Sequence, residues 1–285
     1  MLRDLMVVLD SLPRGEAQLA LALDLARRCG AHLTGFCPLD GLVGLHPSVV
    51  VGPYPEMFAF PEAVNEFRAR AAEKARGMEE EFRSQLRRRG AEGEWEAATG
   101  LPADVVARRA RSTDLLVLGQ ADPEQGTLHS PMALVEDALM RTGRPLLLVP
   151  YAGRFETVGS NVLVGWNDSR EAARAAHDML PLVGPSANAT VLTIAHGRQA
   201  QGDGELPNAQ VTAHLVRHGL QVTATRTVRD GNVSDADVLL NHASDIGADL
   251  LVIGGYGRSR AREILLGGVT RDLLCCMTLP VLMSR

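Results

Sequence analysis

Lysine is nearly missing from this chain: of 29 basic residues only Lys74 is a lysine, and the rest are arginine. A phosphate loop of the GxxxxGK[ST] type needs a lysine beside its hydroxyl residue, and a Schiff-base enzyme needs one in a pocket. Lys74 stands among Glu73, Arg76 and Glu79 in a charged helical stretch, which reads as a solvated face. Lysine chemistry is therefore set aside. Aromatic residues make up only 4% of the chain, too few for platforms that stack single-stranded bases. The net charge is −5, the opposite of a nucleic-acid footprint. The cysteines (Cys29, Cys37, Cys275 and Cys276) show no CxxC spacing and are too scattered for a disulfide framework, so a reduced, cytoplasmic protein is expected. No apolar run approaches the roughly 18 residues of a membrane span. Met1 leads almost at once into Arg3 and Asp4, so no signal peptide is expected either.

What is present is ordinary globular material, 46% hydrophobic and 22% charged over 285 residues, enough for two domains of about 130–150 residues. Short apolar runs alternate with longer helical patterns, as in βαβ units around a parallel sheet. The two halves also match each other. Asp114-Leu-Leu-Val-Leu-Gly119 returns as Asp249-Leu-Leu-Val-Ile-Gly254, Asp137-Ala-Leu as Asp272-Leu-Leu, and Arg144-Pro-Leu as Leu279-Pro-Val. Ala103-Asp-Val-Val returns as Ala236-Asp-Val-Leu, and Leu5-Met-Val-Val-Leu-Asp10 as Val162-Leu-Val-Gly-Trp-Asn167. Five matches in one order make an internal repeat.

Each half is predicted to run β-α-β-α-β-α-β-α-β. The strands fall near 5–10, 32–37, 93–97, 114–118 and 145–149, then near 161–166, 188–195, 221–227, 249–253 and 279–283. Tyr151–Ser160 reads as the linker, which divides the chain into domains 1–151 and 158–285. Residues 38–61 are a Gly/Pro/Val-rich loop without periodicity, and an amphipathic helix near 62–89 follows it. That helix ends in Arg87-Arg-Arg-Gly90, which reads as a solvated last turn before a glycine cap in preference to an anion patch. Pro102 suits a first helical turn and Ser234 an N-cap.

The segment that carries chemistry follows the fourth strand of the second half: Gly254-Gly-Tyr-Gly257-Arg-Ser-Arg-Ala-Arg-Glu-Ile-Leu-Leu-Gly267-Gly268-Val-Thr270. Glycines at the carboxyl end of a strand permit positive φ and leave room for a ligand. The backbone N–H groups of such a turn, with the next helix N-terminus, form a concavity for anions. Arg258, Arg260 and Arg262 add positive charge. The Rossmann fingerprint is not met, because its third glycine is missing and the loop follows a fourth strand, not a first.

The G-x-x-G-x9-G spacing, together with the five-stranded repeat, resembles the universal stress protein family, and nearly the whole chain looks like a tandem member. The resemblance implies two Rossmann-like α/β domains of the adenine-nucleotide α-hydrolase-like type, each a five-stranded parallel sheet with helices on both faces. It implies ATP as ligand, with Mg²⁺ as a companion on the phosphates, and a stress-response role. Gly254, Gly257, Gly267, Gly268 and Val269 then match the phosphate loop, with Arg258 beside it. Asn167 falls at the acidic position that ends the first strand, Asp168 follows it, and Ala195 falls at the wall of the base site. Trp166 either stacks on the adenine or packs in the core.

Two positions depart from the family pattern. Gly268 stands where the family has Ser or Thr, and Asn167 replaces a carboxylate. In the first half Gly119 survives, but Gly257 is replaced by Asp122 and Gly267 by Met132, while Pro123 removes an amide donor. That half is not expected to bind ATP. The resemblance also implies that the fifth strands meet across an intramolecular pseudo-dimer, with a homodimer as the alternative assembly.

No Ser-His-Asp set or nucleophile elbow is readable, and no catalytic base is named. His214 and His218 stand at i, i+4 without an intervening glutamate or an evident third ligand, and read as helix surface. Cys275 and Cys276 are expected to be buried in apolar packing. The competing readings are a stress protein acting through protein contacts alone and a weak Mg²⁺-dependent ATP hydrolase.

Overall fold

The ten expected strand segments fold into ten strands. The computed structural model describes residues 1–9, 15–39, 61–120, 131–195, 208–229, 233–255 and 268–285. The first half contains β1 (Asp4–Val8), α1 (Gly15–Cys29), β2 (His32–Leu39), α2 (Pro61–Arg89), β3 (Gly93–Thr99), α3 (Pro102–Ala110), β4 (Leu115–Gly119), α4 (Pro131–Arg141) and β5 (Leu146–Val149). The second contains β6 (Asn161–Gly165), α5 (Arg170–Asp178), β7 (Asn188–Ala195), α6 (Ala209–Arg217), β8 (Gln221–Val228), α7 (Asp235–Asp245), β9 (Leu250–Gly254), α8 (Gly268–Cys276) and β10 (Val281–Ser284). The fold is α/β, with eight helices among the described residues and a mostly parallel sheet.

All ten strands join one sheet in the order β3-β2-β1-β4-β5-β10-β9-β6-β7-β8. Every pairing within a half is parallel. The central pairing is antiparallel, with Leu148 opposite Val281, Leu147 opposite Leu282 and Leu146 opposite Met283. These strands are buried on both sides, which is why they read as unbroken apolar runs rather than as alternating patterns. One core lies on each face of the sheet, and each core draws residues from both halves. The first packs α1, α2, α5 and α6 onto residues such as Val7, Val117, Val164 and Leu282. The second packs α3, α4, α7 and α8 onto Met6, Leu116, Leu163 and Val281.

The repeated aspartates of the sequence have a shared structural task. The Asp114 carboxylate accepts the backbone N–H groups of Arg3 (2.7 Å) and Asp4 (3.1 Å), tying the start of β4 to the start of β1. Asp249 does the same for β9 and β6, accepting from Gly159, Ser160 and Asn161 at 2.9, 2.8 and 3.2 Å. These bonds occupy N–H groups at the rim of the sheet that have no strand partner there.

The local signals also hold. Ser234 caps α7 with its side chain and forms a capping box with Asp237. Gly90 ends α2 at φ +61°, a left-handed cap. One expectation fails: Cys275 and Cys276 are exposed. The buried face of α8 is carried by Thr270, Leu273 and Leu274, and the next two residues rotate off it at about 100° per step. Residues 40–60, most of the irregular segment, lie outside the described residues.

Candidate functional site

The chain leaves β6 toward β7 on one side and leaves β9 toward β10 on the other, so strand order reverses between β6 and β9. At such a point the outgoing connections diverge and open a crevice at the carboxyl ends of the strands. Two helices begin at this rim: α5, which follows β6, and α8, which follows β9. Their free N–H groups and dipoles favour negative charge there.

The turn from β6 into α5 is built residue by residue. The Trp166 N–H donates to Leu192 O at 2.8 Å, extending the β6–β7 pairing by one step. The Asn167 Oδ1 accepts the Ser169 N–H at 3.2 Å, and Asp168 sits at φ +57°, a left-handed position that a short polar residue tolerates. The Ser169 Oγ then caps α5 by accepting the Ala172 N–H at 3.1 Å. Asn167 and Asp168 are left exposed at the rim.

Gly254 closes on the same turn. A Cβ at that position would lie 2.4 Å from Ala172 N and 2.5 Å from Glu171 C, so the first turn of α5 rests against the end of β9. Gly255 is also closely covered, but by a side-chain end: its Cβ would lie 2.4 Å from Leu139 Cδ2 of the first half. Gly268 is different. It begins α8 exposed, with no described residue within 4 Å of a would-be Cβ. Val269 packs against the core of the α7–α8 face. Ala195 ends β7 buried, opposite Val228 of β8. The structure thus gathers Asn167, Asp168, Gly254, Gly268 and Ala195 at the carboxyl rim, while Gly257, Arg258 and Gly267 lie outside the described residues.

The half-buried Trp166 ring packs against the cluster beneath α5 and α6, and among the described residues its Nε1 is buried without a hydrogen-bond partner. Sequence reasoning also missed Glu171, a buried acid in the first turn of α5. Burial pushes its carboxyl up, but the Arg170 guanidinium, its own backbone N–H and the Ser169 side chain together hold it below the ordinary carboxylate range. An acid directly after an N-cap serine was the available signal.

The first half has the corresponding crevice between β1 and β4, and a side chain enters it. Gln18 of α1, 6% exposed, donates through Nε2 to Val8 O, and its Oε1 lies 2.5 Å from where a Gly119 Cβ would be. Met132, the counterpart of Gly267, packs its side chain against the core. Asp10, Asp122 and Pro123 lie outside the described residues.

The two helix histidines gain a neighbour from α5. The His218 ring lies 4.6 Å from His214 and 6.4 Å from His177, centroid to centroid. Burial lowers the His214 pKa, and the nearby His218, His177 and Arg217 lower it further. Among the described residues no group of three His, Cys, Asp or Glu side chains is placed to hold a metal ion, and no helix is long and apolar enough to cross a membrane.

Residues 160–285 match the model of the Universal stress protein family. Among solved structures, a universal stress protein from Archaeoglobus fulgidus DSM 4304 superposes with a TM-score of 0.66 at 13% identity, over 99% of this chain and 98% of its own. A functionally unknown protein from Pseudomonas aeruginosa PAO1 does so with a TM-score of 0.56 at 16% identity, over 99% of this chain and 92% of its own. At such identities the likeness is one of fold, and it extends over both halves. No curated protein is similar enough in sequence to count as a relative. The second half, residues 160–285, is therefore similar to the universal stress protein family, and the likeness of fold takes in the first half as well.

Proposed function

We propose that the protein binds an adenine nucleotide, ATP, in the crevice between β6 and β9, and that it acts as a regulatory or protective stress-response module rather than by turnover. The observation that carries this is the convergence at one rim of two helix N-termini, an exposed Gly268 whose missing Cβ would meet none of the described residues, and the exposed Asn167–Asp168 turn. Backbone donors at the start of α8 suit phosphate. The base and ribose then lie toward Asn167 and Ala195. Mg²⁺ enters only as a counter-ion carried by the phosphates.

In the same reading the chain is two domains, 1–151 and 158–285, joined as an intramolecular pseudo-dimer. The antiparallel pairing of β5 with β10 supports it. The first domain takes no nucleotide, since the Gln18 side chain stands at its crevice.

The test is the small-molecule content of the purified, denatured protein, followed by titration of two variants. Gly257→Asp should abolish ATP binding, and Gly119→Ala should preserve it. Equal loss in both would sink the assignment to the second half. Phosphate release above background would move the protein into the hydrolase class, and a nucleotide-free protein that binds no ATP would leave protein contacts as its mode of action.

A further inference from the structure

Positions 120 and 255 are equivalent in the repeat and equivalent in the sheet. The Gln120 N–H donates to Val149 O at 2.7 Å, and the Gly255 N–H donates to Ser284 O at 2.8 Å. Their side chains break the symmetry. Gln120 is 9% exposed and reaches from the end of β4 into the other half, where its Nε2 donates to Leu274 O at 2.9 Å and to Cys275 O at 3.2 Å. Its Oε1 accepts the N–H of Tyr151, where the connection between the halves begins, at 3.3 Å. Gly255 has no side chain to return the contact, and Leu139 of α4 closes over it. Gln120 thus grips the last-turn carbonyls of α8 from across the seam, whereas the contact returned to the last turn of α4 is Arg285 Nη1 on the Met140 sulfur at 2.6 Å.

The carbonyls that Gln120 takes belong to the last turn of α8, where helix acceptors lack partners of their own. The other end of α8 is Gly268. Because the halves are joined antiparallel, the carboxyl rim of the first faces the same way as the amino rim of the second. Helix α8 thus runs from Gln120 at one rim to the candidate crevice at the other, about 13 Å at 1.5 Å per residue. A helix this short moves as a rod, so the point that fixes its last turn also fixes where its first N–H groups stand.

We propose that Gln120 is a positioning residue through which the first half sets the phosphate affinity of the second. This rests on the nucleotide reading above. It gives the first half a task that needs no ligand of its own: it supplies the anchor against which α8 is aimed.

The experiment uses the full chain with two substitutions, Gln120→Met, which keeps the volume and removes the two hydrogen bonds to α8 together with the one from Tyr151, and Gln120→Glu, which sets a carboxylate against two carbonyls while still able to accept from Tyr151. ATP and adenosine are each titrated by calorimetry, and amide hydrogen exchange is followed across α8. Adenosine has no phosphate and does not meet the start of α8. The expected result is ATP binding weakened about three- to tenfold in the Met variant, the scale of one or two net hydrogen bonds, and further in the Glu variant. Adenosine affinity should be unchanged, and exchange at Thr270–Leu274 faster. Equal losses for ATP and adenosine, or no loss for either, would overturn the proposal. If the unsubstituted protein binds neither compound, the nucleotide reading itself fails. Exchange across α8 then decides alone: faster exchange upholds the anchor, and unchanged exchange overturns it.

Discussion

Substituting Gly254→Ala tests the packing that brings the two sides of the crevice together. The added methyl would lie 2.4 Å from Ala172 N, 2.5 Å from Glu171 C and 2.8 Å from Glu171 Cβ. Relief to ordinary contact requires a shift of roughly 1 Å, and the atoms in the way are helix backbone and a Cβ, with no flexible side-chain end to swing aside. Overpacking of this kind costs about 1–3 kcal/mol, and the rigid surroundings place this case near the upper value. For a chain of this size that corresponds to a thermal midpoint lower by roughly 4–5 °C. Urea unfolding followed by circular dichroism would measure it, as a lower midpoint with unchanged slope. The same shift moves Asn167–Ser169, so ATP affinity should fall with stability. A variant with the midpoint of the parent protein would refute the close approach of α5 to β9.

At Gly268→Ser the added side chain would meet none of the described residues, and the position adopts no left-handed φ. It should raise stability by about 0.4–1 kcal/mol through reduced freedom of the unfolded chain, and tighten ATP binding by a further 0.5–1.5 kcal/mol, roughly one hydrogen bond, as read by denaturation without nucleotide and calorimetry with it. The His214 pKa is lowered in the fold, so the unfolded chain takes up its proton first. Stability should therefore fall as pH drops below about 6.5, and His214→Asn should flatten the urea midpoint between pH 7 and pH 5. The full chain should unfold in one cooperative thermal step. The fragment 158–285, with β10 left as an uncovered apolar edge, should dimerise or precipitate on size-exclusion chromatography, and its recovery as a stable monomer would count against the pseudo-dimer.

The central strands are legible because burial on both faces writes itself as a continuous apolar run, and Asp114 and Asp249 mark the register of the repeat in the sequence. Cys275 and Cys276 were misplaced because an apolar residue near a helix end carries no mark of which face it takes, and that is fixed only by where Leu273 and Leu274 point. Gln18 and Gln120 look like any surface glutamine in sequence. Their roles depend on Gly119 and on α8, which the fold brings to them from about 100 and 154 residues away. His177 joins His214 and His218 only because α5 and α6 lie side by side.

The antiparallel seam also decides where the chain can be cut. β5 ends and β6 begins on the same rim of the sheet, three strand spacings apart, or about 14 Å. β10 ends and β1 begins on the opposite rim, again three spacings apart. The connection at 150–160 is far longer than its span requires, at up to about 3.3 Å per residue. A loop of similar length could therefore join Arg285 to Met1 while the chain is opened between Tyr151 and Ser160. The order in which the two halves are written in the gene is then a matter of indifference to the fold, and a circular permutant with the halves exchanged should close the same sheet.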